Sequence, residues 1–153
     1  MSYKMIVVDD EEQILEALDT FFSLRGYDVF VTDSPAQAME KISLEKFHVA
    51  LLDINMPELT GIELMKRIKD SRPTVQVIMM TAYTTIEKAI ECVEHGASDY
   101  LLKPFQDLEE LANIVKMAAE RVRRWEAVAH ESLRNPKDVT AHQLNTAALE
   151  KKF

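Results

Sequence analysis

A chain of 153 residues with 47% hydrophobic and 29% charged side chains fits one globular domain with a substantial core, and an appendage at most. Its single cysteine, Cys92, excludes an internal disulfide and suggests a reducing compartment; no basic, apolar segment opens the chain and no apolar run reaches membrane-spanning length, so a cytoplasmic protein without membrane contact is expected. The net charge of −8 argues against direct nucleic-acid binding by the body, and it is uneven: eleven Lys/Arg stand against twenty-one Asp/Glu before Glu120, and seven against five from there on.

Residues 4–8 (Lys-Met-Ile-Val-Val) predict a short buried strand that runs into Asp9-Asp10-Glu11-Glu12. Ile14, Leu15, Leu18, Phe21, Phe22 and Leu24 then recur at helical spacing, and Gly26 stops that helix. Tyr27 to Thr32 is a second strand. Ser34 and Pro35 read as the N-cap and first position of a helix running to about Glu45. Val49-Ala50-Leu51-Leu52-Asp53 is a third strand, apolar without periodic break and therefore buried on both faces, ending on an acid before the Asn55-Met56-Pro57 loop. Gly61 opens a helix carrying Ile62, Leu64, Met65 and Ile68 that ends before Pro73. A fourth strand, Val75 to Met80, ends at Thr81, a helix follows from about Thr84 to His95, and Gly96 closes it. Tyr100-Leu101-Leu102 is the last strand, followed by Lys103-Pro104, and Gln106 or Asp107 starts the last helix of the body.

Strands that alternate with helices demand a parallel sheet with right-handed crossovers and helices on both faces, so an α/β, doubly wound five-stranded domain is predicted over residues 1–119. The carboxyl ends of four strands then share one edge, where such sheets bind ligands. They carry Asp9 and Asp10, Asp53, Thr81 and Lys103. Carboxylates gathered in one pocket repel one another, which predicts a cation among them. An all-oxygen, partly solvated ligand set favours Mg2+ over a soft-ligand metal. Asp53 beside such an ion is a competent nucleophile toward a phosphoryl group. The ion, the Lys103 ammonium and the Thr81 hydroxyl would then take one phosphoryl oxygen each.

The stretches Asp9-Asp10-Glu11, Leu-Leu-Asp53-Ile-Asn-Met-Pro57, Met-Thr81-Ala82 and Asp-Tyr100-Leu-Leu-Lys103-Pro104-Phe, in this order and spacing over residues 3–119, resemble the receiver domain of bacterial two-component response regulators. The resemblance implies the flavodoxin-like strand order 2-1-3-4-5, a phosphoryl group accepted on Asp53 from a histidine kinase or phosphotransfer protein, and a downstream protein target. It implies Mg2+ on Asp10, Asp53 and the Asn55 backbone carbonyl, with Asp9 acting mainly through water, and a cis Lys103–Pro104 peptide. Ala82 would leave room for the phosphoryl group. Thr81 and Tyr100 would be the switch pair, with the readout around the fourth helix and fifth strand. Asn55 and Tyr83 occupy places that tune phosphate lifetime. Such a chain is a self-phosphorylating switch with slow autodephosphorylation and not a turnover enzyme.

Two other readings compete. An unphosphorylated pseudo-receiver would be a constitutive binding module, which the intact acidic pair and Lys103 oppose. A phosphatase with an aspartyl nucleophile would carry Asp-x-Asp after the first strand, where this chain has adjacent Asp9-Asp10. A flavodoxin is disfavoured because the first loop is acidic where an anion-cradling loop is needed.

Leu108, Leu111, Val115, Ala118, Val122, Trp125 and Ala129 alternate spacings of three and four, a heptad seam. Its first half is expected to pack on the sheet. Beyond Ala119, Val122, Trp125 and Ala129 need another partner, either a second copy in a homodimer coiled coil or, in the alternative, their own body. Arg121, Arg123 and Arg124 are read as solvating this helix, Pro136 as ending it, and Asp138 or Thr140 as capping a short helix to Lys151 within a 120–153 extension. Nothing after residue 120 has the pattern of a DNA reader, an ATPase or a cyclase, so the output is binding of a partner, or the chain is the front of a longer regulator. Cys92 and the Met residues are read as core filler, and His48, His95, His130 and His142 as unpaired surface or boundary residues.

Overall fold

The computed structural model describes residues 2–82 and 85–134. Strands β1 (Lys4–Val8), β2 (Asp28–Thr32), β3 (Val49–Asp53), β4 (Gln76–Thr81) and β5 (Asp99–Leu102) alternate with helices α1 (Glu12–Leu24), α2 (Pro35–Leu44), α3 (Gly61–Ser71), α4 (Ile86–Glu94) and α5 (Leu108–Arg134). All strand pairs are parallel, in the order β2-β1-β3-β4-β5. This is the doubly wound, flavodoxin-like order expected above.

The sheet divides the core in two. On one face Ile6, Val8, Ala50, Leu52, Val77 and Met79 pack with buried residues of α2, α3 and α4, Cys92 among them. On the other, Met5, Val7, Val49, Leu51, Ile78 and Met80 meet α1 and α5. Burial of β1, β3 and β4 on both faces is why their sequences are continuous apolar runs.

Local signals place the helix ends. The Ser34 hydroxyl accepts from the Gln37 N–H at 3.2 Å with Pro35 at the first helical position, and the Thr60 hydroxyl accepts from the Glu63 N–H. Gly26 and Gly96, which follow α1 and α4, both have φ of +89°. Helix α4 starts later than its sequence suggests, at Ile86, because the Thr85 hydroxyl caps it by accepting from the Lys88 N–H.

The largest departure is in α5, one continuous helix of 27 residues. Val122 is only 1% exposed, so this seam position already has its partner inside the body. The turns around it are held at the amino edge of the sheet. Arg121 donates to the Gln76 side-chain oxygen at 3.1 Å, the Arg123 guanidinium lies 4.4 Å from the Tyr3 ring centre, and Lys46 forms an ion pair with Glu126. Two of the three arginines therefore hold the helix to the body and do not merely solvate it. Leu108, at the other end of the seam, is exposed, as are Trp125 and Val128 farther along. His48 also differs from its reading: its Nδ1 accepts from the Lys4 N–H at 3.0 Å and its ring meets Tyr3 edge-on. Pro136, His142 and the expected final helix to Lys151 lie outside the described residues. Among the described residues no helix is long and apolar enough to cross a membrane.

Candidate functional site

The carboxyl edge of the sheet gathers side chains from four strand ends. Asp9 and Asp10 follow β1, Asp53 is the last residue of β3, Thr81 the last of β4, and Lys103 follows β5. Strand register sets the heights: Asp53 pairs with Met80 and Thr81 with Leu102. Backbone bonds carry the pairing past the strands, from the Ile54 N–H to the Met80 carbonyl at 3.0 Å and from the Lys103 N–H to the Thr81 carbonyl at 2.8 Å.

Asp9, Asp10 and Asp53 each offer a carboxylate oxygen within 4.8 Å of the others, with Asp9 and Asp53 buried and Asp10 open to solvent. The Lys103 ammonium reaches across this cluster, 2.5 Å from Asp9 Oδ2, 3.6 Å from Asp53 Oδ1 and 3.5 Å from Glu11 Oε1. Asp9 Oδ1 accepts from the Glu11 N–H at 2.8 Å. The Thr81 hydroxyl, fully buried, accepts from Asn55 Nδ2 at 3.1 Å, and the Asn55 N–H points at Asp53 Oδ1 at 3.4 Å. The Lys103–Pro104 peptide is cis.

The electrostatics are those of too many acids for one cation. Burial, followed by the Asp9 charge, pushes the Asp53 carboxyl up to about 6, against the opposing pull of Lys103. Asp9 is also raised, because burial costs its carboxylate more than the Lys103 hydrogen bond and the Glu11 N–H give back. Burial works to lower the Lys103 ammonium, but the Asp9 hydrogen bond and the charges of Asp9, Asp53 and Glu11 outweigh it and hold the lysine above its ordinary range. One ammonium shared among three acids leaves a net negative pocket. An open, all-oxygen set of this kind fits a hard divalent ion, which would supply the missing positive charge.

Sequence reasoning thus brings Asp9, Asp10, Asp53, Asn55, Thr81 and Lys103 to one rim. Tyr100 is not at the rim: it lies in β5 opposite Met79, half-buried against the core layer that α2, α3 and α4 share. Tyr83 lies outside the described residues. Glu11 was not singled out, although it bonds Asp9 through its N–H and approaches Lys103 through its carboxylate; only its adjacency to the acidic pair marks it in the sequence. Gly61, which presses against the Asp53 carbonyl, was read only as a helix start.

A five-stranded parallel sheet whose carboxyl rim holds three acids, a threonine and a lysine describes a class of signalling domain. Residues 5–116 match the family model of the response regulator receiver domain, and the chain belongs to that family. Regulatory protein AtoC of Escherichia coli (strain K12) is 37% identical over 117 residues, which are 76% of this chain and 25% of AtoC. Sporulation initiation phosphotransferase F of Bacillus subtilis (strain 168) is 35% identical over 116 residues, 76% of this chain and 93% of that one. The crystal structure of a CheY-like receiver domain protein from Methanospirillum hungatei JF-1 superposes with a TM-score of 0.78 at 27% identity, covering 81% of this chain and 98% of the other. The solution structure of the beryllofluoride-activated NtrC4 receiver domain dimer gives 0.73 at 31% identity, covering 78% and 98%. The chain spans about a quarter of the length of the first curated relatives it matches.

Proposed function

We propose that this chain is a phosphorylation-switched receiver, in which Asp53 accepts a phosphoryl group from a histidine kinase or phosphotransfer protein in a Mg2+-dependent reaction and the change is read by a downstream protein. The observation that carries this reading is the set of three acids whose oxygens lie within 4.8 Å, with the Lys103 ammonium 3.6 Å from Asp53.

An Asp53 carboxylate oxygen attacks phosphorus, the bond from phosphorus to the donor imidazole nitrogen breaks, and that nitrogen keeps the electron pair and is protonated from solvent. Asp9, Asp10, Asp53 and the Asn55 carbonyl would hold the ion, Asp9 mainly through water. Mg2+, when bound, supplies neutralisation of charge on the transferring phosphoryl oxygens. Lys103, drawn to Asp9 in the resting pocket, turns to a phosphoryl oxygen once Asp53 carries the acyl phosphate. The Thr81 hydroxyl exchanges its Asn55 partner for a second phosphoryl oxygen, and the Tyr100 ring moves into the space vacated, altering the face around α4 and β5. Asn55 and Tyr83 set how readily water reaches the acyl phosphate, so decay is slow and no substrate is turned over.

The receiver body comprises residues 1–119 together with the turns of α5 anchored to it as far as Glu126, and the extension is the remainder to residue 153; the chain works in the cytoplasm, with no direct contact to nucleic acid or membrane. Exposed Trp125, together with Val128 and Ala129 in the last two turns of α5 beyond its anchors, pairs with a second copy; the dimeric NtrC4 receiver lends support to that association. Acetyl phosphate with Mg2+, followed by intact mass of the wild type and Asp53→Asn, tests the central claim. A single phosphoryl adduct on the wild type that vanishes in the variant is expected; an unmodified wild type, or an adduct that survives the substitution, overturns it.

A further inference from the structure

The amino end of α3 sits directly behind the acceptor. The Gly61 N–H donates to the Ile54 carbonyl at 2.9 Å, which closes the 54–60 loop on itself. A Cβ placed on Gly61 would lie 2.1 Å from the Asp53 carbonyl oxygen, 2.8 Å from the Asp53 carbonyl carbon and 2.9 Å from Ile54 Cα. Every one of these is a backbone atom, so no side chain can swing aside. Nor does either element have freedom to retreat. Asp53 and Ile54 are tied to β4 through the Ile54 N–H, while α3 is fixed by its Thr60 cap and by Ile62, Leu64, Met65 and Ile68, all buried in the core.

Backbone conformation does not explain the glycine, because the positive φ values belong to Gly26 and Gly96 and not to Gly61. Alanine is the stronger helix former at such a position. What Gly61 contributes is the absence of a side chain against the Asp53–Ile54 peptide. That peptide leads within one residue to Asn55, whose N–H faces the Asp53 carboxylate and whose amide bonds Thr81.

We propose that Gly61 is a positioning residue for the acceptor: by letting α3 abut the Asp53 carbonyl, it sets the Asp53–Asn55 backbone on which metal binding and phosphoryl uptake depend. The proposal rests on the phosphoryl-acceptor reading given above. A methyl group at position 61 must be accommodated by turning the Asp53–Ile54 peptide away from α3, which misplaces the Asp53 carboxylate and the Asn55 carbonyl together. Displacements of this size are costly where reacting atoms must be held in line.

The full chain carrying Gly61→Ala is compared with wild type and with Gly26→Ala, a control that strains the backbone at φ +89° but meets nothing within 4 Å. Mg2+ alone is titrated against amide NMR shifts, and acetyl phosphate uptake is followed by intact mass at saturating Mg2+. Gly61→Ala is expected to lose about tenfold or more in Mg2+ affinity, in line with other residues that orient metal ligands without touching the metal. It is also expected to take up phosphate about tenfold more slowly even at saturating Mg2+, whereas Gly26→Ala stays within about twofold on both counts while losing thermal stability. A folded Gly61→Ala that matches Gly26→Ala in both measurements overturns the proposal. Should Gly61→Ala not fold, the wild-type spectrum decides: the Gly61 amide is expected to shift with Asn55 as Mg2+ is added while Gly26 stays put, and a silent Gly61 amide overturns the proposal. A wild type that takes neither Mg2+ nor phosphate refutes the acceptor reading itself, and the role of Gly61 falls with it.

Discussion

Replacing Asp53 by asparagine is expected to stabilise the metal-free protein, the opposite of what trimming a well-bonded core residue does. Asp53 is 3% exposed, and burial together with the Asp9 charge lifts its carboxyl from the ordinary 3.8 to about 6. A carboxyl that ionises less readily in the folded chain than in the unfolded one opposes folding at every pH above its folded value. A displacement of about two units from that ordinary value amounts to about 3 kcal/mol at neutral pH. Asparagine keeps the shape and carries no charge, and the attraction of Lys103 at 3.6 Å and of the Asn55 N–H at 3.4 Å that it forgoes is already counted in that net shift. The buried amide must still satisfy its own NH2 group in a site shaped for a carboxyl, which leaves a gain of roughly 1–2 kcal/mol. For a chain of this size the melting temperature rises by about 3–6 °C. Thermal melts of both proteins in EDTA between pH 5 and 8 measure it. Because the folded pKa is raised, the penalty is absent below the unfolded value, builds between about 4 and 6, and is complete above. The variant's advantage is therefore greatest near pH 7.5 and shrinks as acid is added. His48, lowered chiefly by burial at the opposite edge of the sheet, is common to both proteins and cancels in the comparison. A variant that melts below wild type at pH 7.5, or gains on it as the pH falls, refutes the reasoning.

Lys103→Met leaves Asp9 buried beside Asp53 without its 2.5 Å partner; urea denaturation is expected to register a loss of about 3 kcal/mol, partly restored by Mg2+. Thr81→Ala removes the hydroxyl that Asn55 Nδ2 bonds at 3.1 Å. It is expected to retain a phosphoryl adduct in intact mass while losing the amide shifts that beryllofluoride with Mg2+ induces around Tyr100 and α4. Val128→Asp, on an exposed position of the free turns of α5, is expected to abolish self-association in light scattering without altering Mg2+ binding.

The rim of the site is legible in the sequence for a physical reason. Strands buried on both faces are forced into uninterrupted apolar runs, so the polar residue that ends each one stands out, as Asp53 does after Val49-Ala50-Leu51-Leu52. Parallel topology then puts those ends together without any knowledge of distances. Gly61 is illegible on the same grounds, since its importance lies in a close approach between segments that no local pattern encodes. Tyr100 is intermediate: its place in β5 can be read, but its half-buried packing against the other face of the core cannot. The heptad spacing in α5 is ambiguous by nature. Knobs that fit a second helix fit the domain's own sheet equally well, and Val122 takes the latter.

That choice changes how a signal could leave the molecule. A strand of five residues such as β3 is roughly 17 Å long, whereas the 27 residues of α5 extend about 40 Å. The helix starts just after Lys103 at the acidic rim, runs back along the sheet, and passes the amino edge. A break at residue 119 would make the extension a loose lever. Instead Arg121 on Gln76, Arg123 on Tyr3 and Glu126 with Lys46 clamp it past that point, at three separate places along the amino edge. The described part of α5 that leaves the body is thus about two turns, carried on a rod whose other end begins beside the site. A change at Asp53 that reaches the tail must shift the packing of the whole rod against the sheet, because no hinge separates the two.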